Sequence, residues 1–196
     1  EFQRNSDYTV VDWLWRQGRL LADGTLGNTA NGNADNTAWW INFPQFKDGV
    51  GTLGGGDLAV KAGGDIAGLS LSAPTNARLK GRDILPSAEN LVTQGGGDVR
   101  VDAGGSITNG EFYAAAGAMD IVAGDAFGTN AAANIIALGD SAVRVQSGSG
   151  AQVSQIVDHF LLAQAPGNIS TTPALAQNTK RIAYFSNYTA ASGVDL

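Results

Sequence analysis

Gly54-Gly-Gly-Asp-Leu-Ala-Val-Lys-Ala-Gly-Gly-Asp-Ile66 returns 41 residues later as Gly95-Gly-Gly-Asp-Val-Arg-Val-Asp-Ala-Gly-Gly-Ser-Ile107, with nine of thirteen positions identical. Repetition of this kind marks a chain built from stacked supersecondary units. Weaker copies follow at Asn76–Leu85, Ala118–Phe127 and Ala142–Gly148. Aligned, they place Leu58, Ala77, Val99, Met119 and Val143 in one apolar column, and Val60, Leu79, Val101, Ile121 and Val145 in a second, two residues on. The residues between the columns are Ala59, Arg78, Arg100, Asp120 and Arg144. Apolar and polar positions that alternate with period two predict a strand with one buried face.

A third column, Ala62, Gly81, Ala103, Ala123 and Ser147, is small throughout, as a corner requires. Ile66, Leu85, Ile107 and Phe127 return to large apolar side chains beyond it and predict a second strand after a turn. The Gly-Gly pairs fall at that turn, where positive φ or close backbone approach favours glycine. The copies are spaced 19, 22, 20 and 24 residues apart, so the unit is half of 41. That length suits one coil of a solenoid and is too short for a propeller blade. The predicted fold is all-β, a right-handed parallel β-helix (β-solenoid) with coils of about 19–24 residues. Five coils at about 4.8 Å each would extend about 24 Å along the axis.

Composition agrees with a polar, weakly charged surface. Of 196 residues only 15% are charged and 27 are glycine, while 43% are hydrophobic, enough for a core. The net charge of −6 repels a nucleic-acid backbone, so nucleic acid is set aside as a partner. No apolar run reaches 18 residues, so no membrane span is expected, and no signal peptide is visible. Cysteine is absent, which removes disulfides, thiol catalysis and zinc–thiolate sites.

The ends differ from the middle. Residues 1–50 form a Trp-rich section that carries Trp13, Trp15, Trp39 and Trp40, all the tryptophans of the chain, with a polar stretch at 24–36. It reads as a cap over the core or a lateral insertion. A sugar-stacking or protein-binding platform is the functional alternative, which makes these four residues the ligand-contact candidates. Residues 51–153 hold the repeated coils, and 154–196 hold C-terminal coils with a polar loop. Val153–Gln164 and Val10–Ala22 are the best helix candidates, and the stretch from Val153 reads better as strand or irregular chain.

The two Gly-Gly-Gly-Asp repeats and Leu138-Gly-Asp-Ser-Ala-Val-Arg-Val-Gln146 resemble the repeats of filamentous-haemagglutinin-like large exoproteins, the two-partner-secreted adhesins. Trp39-Trp-Ile-Asn-Phe-Pro-Gln-Phe-Lys-Asp-Gly-Val-Gly-Thr-Leu-Gly-Gly-Gly-Asp57 resembles the segment that precedes such repeats. The likeness spans roughly residues 39–153 and implies an internal or C-proximal β-helical fragment. It also implies an extracellular or cell-surface location, export through an outer-membrane transporter, and adhesion to a host-cell or surface glycan or protein. The family motif carries scaffold residues, so it transfers no catalytic residue.

The chemistry expected from the residues is correspondingly sparse. His159 is the single histidine and lies in an apolar run, which argues for a structural role. Asp57, Asp65, Asp98, Asp120, Asp125 and Asp140 recur without the Gly-Gly-x-Gly-x-Asp order of calcium-binding repeats, and turn-capping explains them. No metal and no cofactor is predicted. Gly-x-Gly-x-x-Gly order is missing from the repeats, and no Gly-x-Ser-x-Gly elbow accompanies His159. The rival reading is a polysaccharide-binding or polysaccharide-cleaving β-helix, with Arg78, Lys80, Arg82 and Asp83, or Arg100, Asp102, Asp120 and Arg144, on a lateral face. Cleavage needs convergent carboxylates, and alternating charges on outward positions are explained by solvation, so no enzyme is predicted. Unpaired end strands leave end-to-end self-association open.

Overall fold

The computed structural model describes residues 49–52, 54–79, 91–157 and 189–196, together with the short strands 14–16, 19–20, 26–27 and 39–41. Every regular element among them is a β-strand. Near the N-terminus lie β1 (Leu14–Arg16), β2 (Arg19–Leu20), β3 (Leu26–Gly27) and β4 (Trp39–Ile41), with β1 antiparallel to β4 and β2 antiparallel to β3. The main body begins with β5 (Gly49–Gly51), β6 (Leu58–Ala62), β7 (Ile66–Ala67) and β8 (Ser70–Ala73). An antiparallel arm, β9 (Thr75–Leu79) and β10 (Leu91–Gly95), interrupts it. It resumes with β11 (Val99–Ala103), β12 (Ile107–Thr108), β13 (Glu111–Ala123), β14 (Ala126–Phe127), β15 (Asn134–Ser147), β16 (Gly150–Ala151), β17 (Val153–Val157) and β18 (Gly193–Asp195).

Strands of successive passes pair in parallel and build three faces. The first runs β6, β11, β13, β15, β18, so that Leu58, Val99, Met119, Val143 and Val194 are consecutive register neighbours. The second runs β7, β12, β14, β16 and aligns Ile66, Ile107, Phe127 and Ala151. The third runs β5, β8, β13, β15, β17 and aligns Val50, Leu71, Phe112, Ile136 and Ile156. β13 and β15 are long because each continues from the third face around a corner onto the first; Gly117, at φ 100°, lies at that corner of β13.

The core lies between the faces. On β11 the burial alternates, with Val99, Val101 and Ala103 inside while Arg100 is exposed, as the period of two requires. Met119 and Ile121 join them on the first face, and Leu71, Phe112, Ile136, Ile107 and Phe127 fill the same cluster from the other faces. Side chains of this size stabilise by about 1.5–3 kcal/mol each when fully buried. Because like stacks on like, one pass closes the apolar surface that the previous pass leaves open.

One expectation is corrected here. The copy at Asn76–Leu85 is not a layer of the stack: β6 pairs directly with β11, and Ala77 and Leu79 belong to the antiparallel arm, where they oppose Thr93 and Leu91. Alternation within a hairpin strand has the same period as alternation within a stacked strand, so the pattern alone did not separate them. The arm leaves and rejoins at one point, where Gly96 N donates to Pro74 O at 2.9 Å. Removing the 21 residues Thr75–Gly95 from the 41-residue step leaves 20, the length of the next step from Val99 to Met119. Without the arm the step therefore has the length of an ordinary pass. Deleting Thr75–Gly95, with Pro74 joined to Gly96, is expected to cost no more than about 1 kcal/mol, a shift of about 2–4 °C in melting temperature. Loss of the cooperative transition by circular dichroism would make the arm part of the core instead.

Candidate interaction surfaces

The turns between the first and second faces carry a ladder of side-chain oxygens. Asp65 Oδ1 accepts from Ser106 N at 2.7 Å, Ser106 Oγ donates to Asp125 Oδ2 at 3.3 Å, and Ser149 Oγ donates to Asp125 Oδ1 at 2.6 Å. Before the first face, Asp57 Oδ1 accepts from Asp98 N at 3.0 Å and Asp98 Oδ1 from Ala118 N at 2.9 Å. Asp57, Asp65 and Asp98 tie backbone N–H groups of the next layer, as turn-capping residues do, whereas Asp125 accepts from serine hydroxyls of the layers on either side. Asp140 works at another corner, where Thr189 Oγ1 donates to its Oδ1 at 2.6 Å and holds the approach to β18. Asp120 departs from the capping expectation, since it sits within β13 on the outward side of the first face. Among the described residues no group of three or more His, Asp or Glu side chains is placed to hold a metal ion.

Outward on the first face, register neighbours run Ala59, Arg100, Asp120, Arg144 and Asp195, alternating in sign from Arg100 onward. Beside them Lys61 neighbours Asp102. Arg100 Nε donates to Asp102 Oδ2 at 3.0 Å, and this hydrogen bond, followed by the Asp102 charge, raises the guanidinium pKa above its ordinary value. Each of these carboxylates has a cation beside it in register rather than a second carboxylate. Such exposed pairs are worth about 0–1 kcal/mol each and chiefly keep the face solvated.

The tryptophan section is only partly placed. β1 and β4 bring Trp15 opposite Trp40 and Arg16 opposite Trp39 in antiparallel register. Trp13, and the side chains of Trp15, Trp39 and Trp40, lie outside the described residues, as do His159, Lys80, Arg82 and Asp83. Arg78 lies on β9 opposite Val92, in a strand pair separate from the first face.

A polar row that the repeat reading did not single out lies on the third face. Ser70 neighbours Glu111, and Ser72 neighbours Tyr113, on the side of the strands opposite Leu71 and Phe112. All four are buried, and the Oγ atoms of Ser70 and Ser72 have no hydrogen-bond partner. Ile135 and Ala137 continue the row and are buried too, so this face is closed on both sides. A carboxyl, a phenol and two hydroxyls one strand spacing apart, about 4.8 Å, offer donors and acceptors together. Solvent does not reach them here. The available signal was Glu111, an acid set directly against the apolar run Phe112–Ala116.

A buried amide braces the corner beside this row. Asn134 Oδ1 accepts from Gly110 N at 2.7 Å while its Nδ2 donates to Ile107 O at 2.9 Å, which joins two successive passes. Among the described residues no helix is long and apolar enough to cross a membrane. No family model matches this chain, and neither a curated protein nor a solved structure matches it.

Proposed function

We propose that this chain is a structural and adhesive segment of a large bacterial surface exoprotein, a right-handed parallel β-solenoid that acts outside the cell as a rigid shaft and binding surface. The observation that carries the reading is the register: Leu58, Val99, Met119, Val143 and Val194 stack in one line over five strands, with the turn ladder beside them. A right-handed hand is the preference of parallel crossovers. The resemblance of the repeats to filamentous-haemagglutinin-like exoproteins supports the adhesive role. The mechanism is rigidity plus display. Passes with apolar inward residues in register hold the stack, which leaves the arm at Thr75–Gly95 and the Trp15–Trp40 ribbon free to vary. Carboxylates divided among cations on the outward face favour display over cleavage of a polysaccharide.

Two experiments test the halves of this reading. An Arg100→Cys/Asp120→Cys variant of the cysteine-free chain places thiols on register neighbours, within the Cα separation of about 4.4–6.8 Å that a disulfide spans. Intrachain oxidation of the monomer is expected; failure under mild oxidation rejects the stack. Glycan and surface-protein arrays probed with the wild type and with Trp39→Ala/Trp40→Ala test adhesion. Selective binding that the folded variant loses is expected, and a wild type that binds nothing rejects the adhesive role for this segment.

A further inference from the structure

Asn109 stands at the corner between β12 and β13 with φ 53°, the one non-glycine residue in the left-handed region among the described residues. Asparagine tolerates that conformation better than most side chains, which accounts for its place there. Glycine follows for a separate reason: a Cβ on residue 110 would strike the Phe112 ring and crowd Asn134 Oδ1. Two local requirements of the fold thus set an Asn-Gly pair into the chain. Asn109 is exposed, while Gly110 is buried.

An Asn-Gly pair carries a reaction of its own. Gly110 N, once its proton passes to a solvent base, can attack Asn109 Cγ; the N–Cγ bond forms, the Cγ–Nδ2 bond breaks and ammonia leaves. Water then opens the five-membered imide at either carbonyl, to aspartate or to isoaspartate, so one water enters for each ammonia lost and nothing is oxidised. No side chain on residue 110 shields the attacking nitrogen, so only the backbone has to turn. Here the backbone is held by the next pass. Gly110 N donates to Asn134 Oδ1 at 2.7 Å, Gly110 O accepts from Ile135 N at 2.9 Å, and Asn109 N donates to Ala132 O at 3.3 Å. Asn134 is itself fully buried and anchored through Nδ2 to Ile107 O at 2.9 Å. A nitrogen whose proton lies in such a bond is neither free to ionise nor free to swing to Cγ.

We propose that Asn109-Gly110 is a self-modification site held shut by Asn134, and that it reacts when the passes carrying β13 and β15 part at this corner. The product does not fit back as before. Isoaspartate carries the main chain through the side-chain carbon and lengthens it by one methylene, directly before a glycine packed against Phe112. Either product also places a negative charge at the corner. An opening of the stack at this point is thereby written into its covalent structure.

Peptide mapping by mass spectrometry, after incubation at mildly alkaline pH in isotopically heavy water, follows the reaction at Asn109. In urea strong enough to unfold the chain, Asn109 should react at a rate similar to that of Asn31, in the other Asn-Gly pair of the sequence. In the native chain the rate at Asn109 should be about a hundredfold or more below its unfolded value, because buried segments open rarely. In graded urea below the unfolding transition it should rise with a slope smaller than that of global unfolding, since a corner exposes less surface than the whole chain. Asn134→Ala should raise the native rate about tenfold, the effect of one buried hydrogen bond. Gly104→Ala, which strains the contact with the pass on the other side, should leave the rate unchanged at a temperature where circular dichroism shows both variants folded. A native rate equal to the unfolded one, a urea slope equal to that of global unfolding, or equal rates in the two variants would each overturn the proposal. The wild-type urea series decides even where Asn134→Ala does not fold.

Discussion

Gly104→Ala is expected to destabilise the protein by about 3 kcal/mol or more, whereas Gly63→Ala, the same change one layer earlier, is expected to be neutral or to stabilise by a few tenths. Both glycines occupy the corner after the first face, and neither lies in the left-handed region. The difference is what lies beneath. A Cβ on Gly104 would collide with the carbonyl oxygen of Gly63, as one on Gly124 would with Gly104 and one on Gly148 with Gly124, while a Cβ on Gly63 meets nothing within 4 Å. Backbone cannot move aside as a flexible side chain does, so the layers would have to part. Urea denaturation of the two variants decides the matter, because midpoints shift with stability while the slope reports surface exposed. Equal losses at Gly63 and Gly104 would mean that turn conformation, not the spacing of the layers, selects glycine here.

Phe112→Ala is the second large effect expected, at about 3–5 kcal/mol. The ring is fully buried on the third face, 5.8 Å from the ring of Phe127 at an interplanar angle of 42°. It is also wedged against Gly110, where any Cβ would strike it. The site is therefore shaped around the ring from two sides, and a cavity there relaxes poorly. Phe112→Leu keeps most of the volume and should cost about 1.5 kcal/mol or less. A thermal melt in which Phe112→Ala loses under about 1 kcal/mol would place the third face outside the common core.

The first two faces were legible in the sequence because their outward positions are solvated. At Arg100, Asp102, Asp120 and Arg144 a charge follows an inward apolar residue, and the period of two stands out. Ile66, Ile107 and Phe127 were recognisable as a second strand for the related reason that a glycine corner precedes each. The third face gave no such contrast. Ser70, Ser72, Tyr113, Ile135 and Ala137 are as inaccessible as Leu71, Phe112 and Ile136, so outward and inward positions were chosen under similar constraints and the alternation faded. Val194 was hidden by distance, 51 residues beyond the Val143 it joins in register.

The arm was misread because its strand Thr75–Leu79 obeys the same pleat as a layer. No local sign separated it, because the Gly-Gly-Gly-Asp lead-in that precedes Leu58 and Val99 is missing before the stacked Met119 and Val143 as well as before the arm. That lead-in has a physical cause, since Gly96 and Gly97 both adopt positive φ and a Cβ on Gly97 would strike the carbonyl of Gly56 below. Of the candidate contacts, the pairing of Trp15 with Trp40 was not readable from spacing, because residues 25 apart meet only through the antiparallel return of the ribbon.

The hydrogen bonds that join β6, β11, β13 and β15 point along the stack rather than across it. Tension applied between the two ends therefore pulls these bonds open one strand at a time, like a zip, instead of loading them all at once. Each freed layer of 20 residues pays out about 70 Å of extended chain at about 3.5 Å per residue. The layer that carries the arm holds 41 residues and pays out about 140 Å at the same rate. The arm thus doubles the slack near the β5 end, and the 51-residue step from Val143 to Val194 releases more still at the other end, so that the stack lengthens by unequal steps.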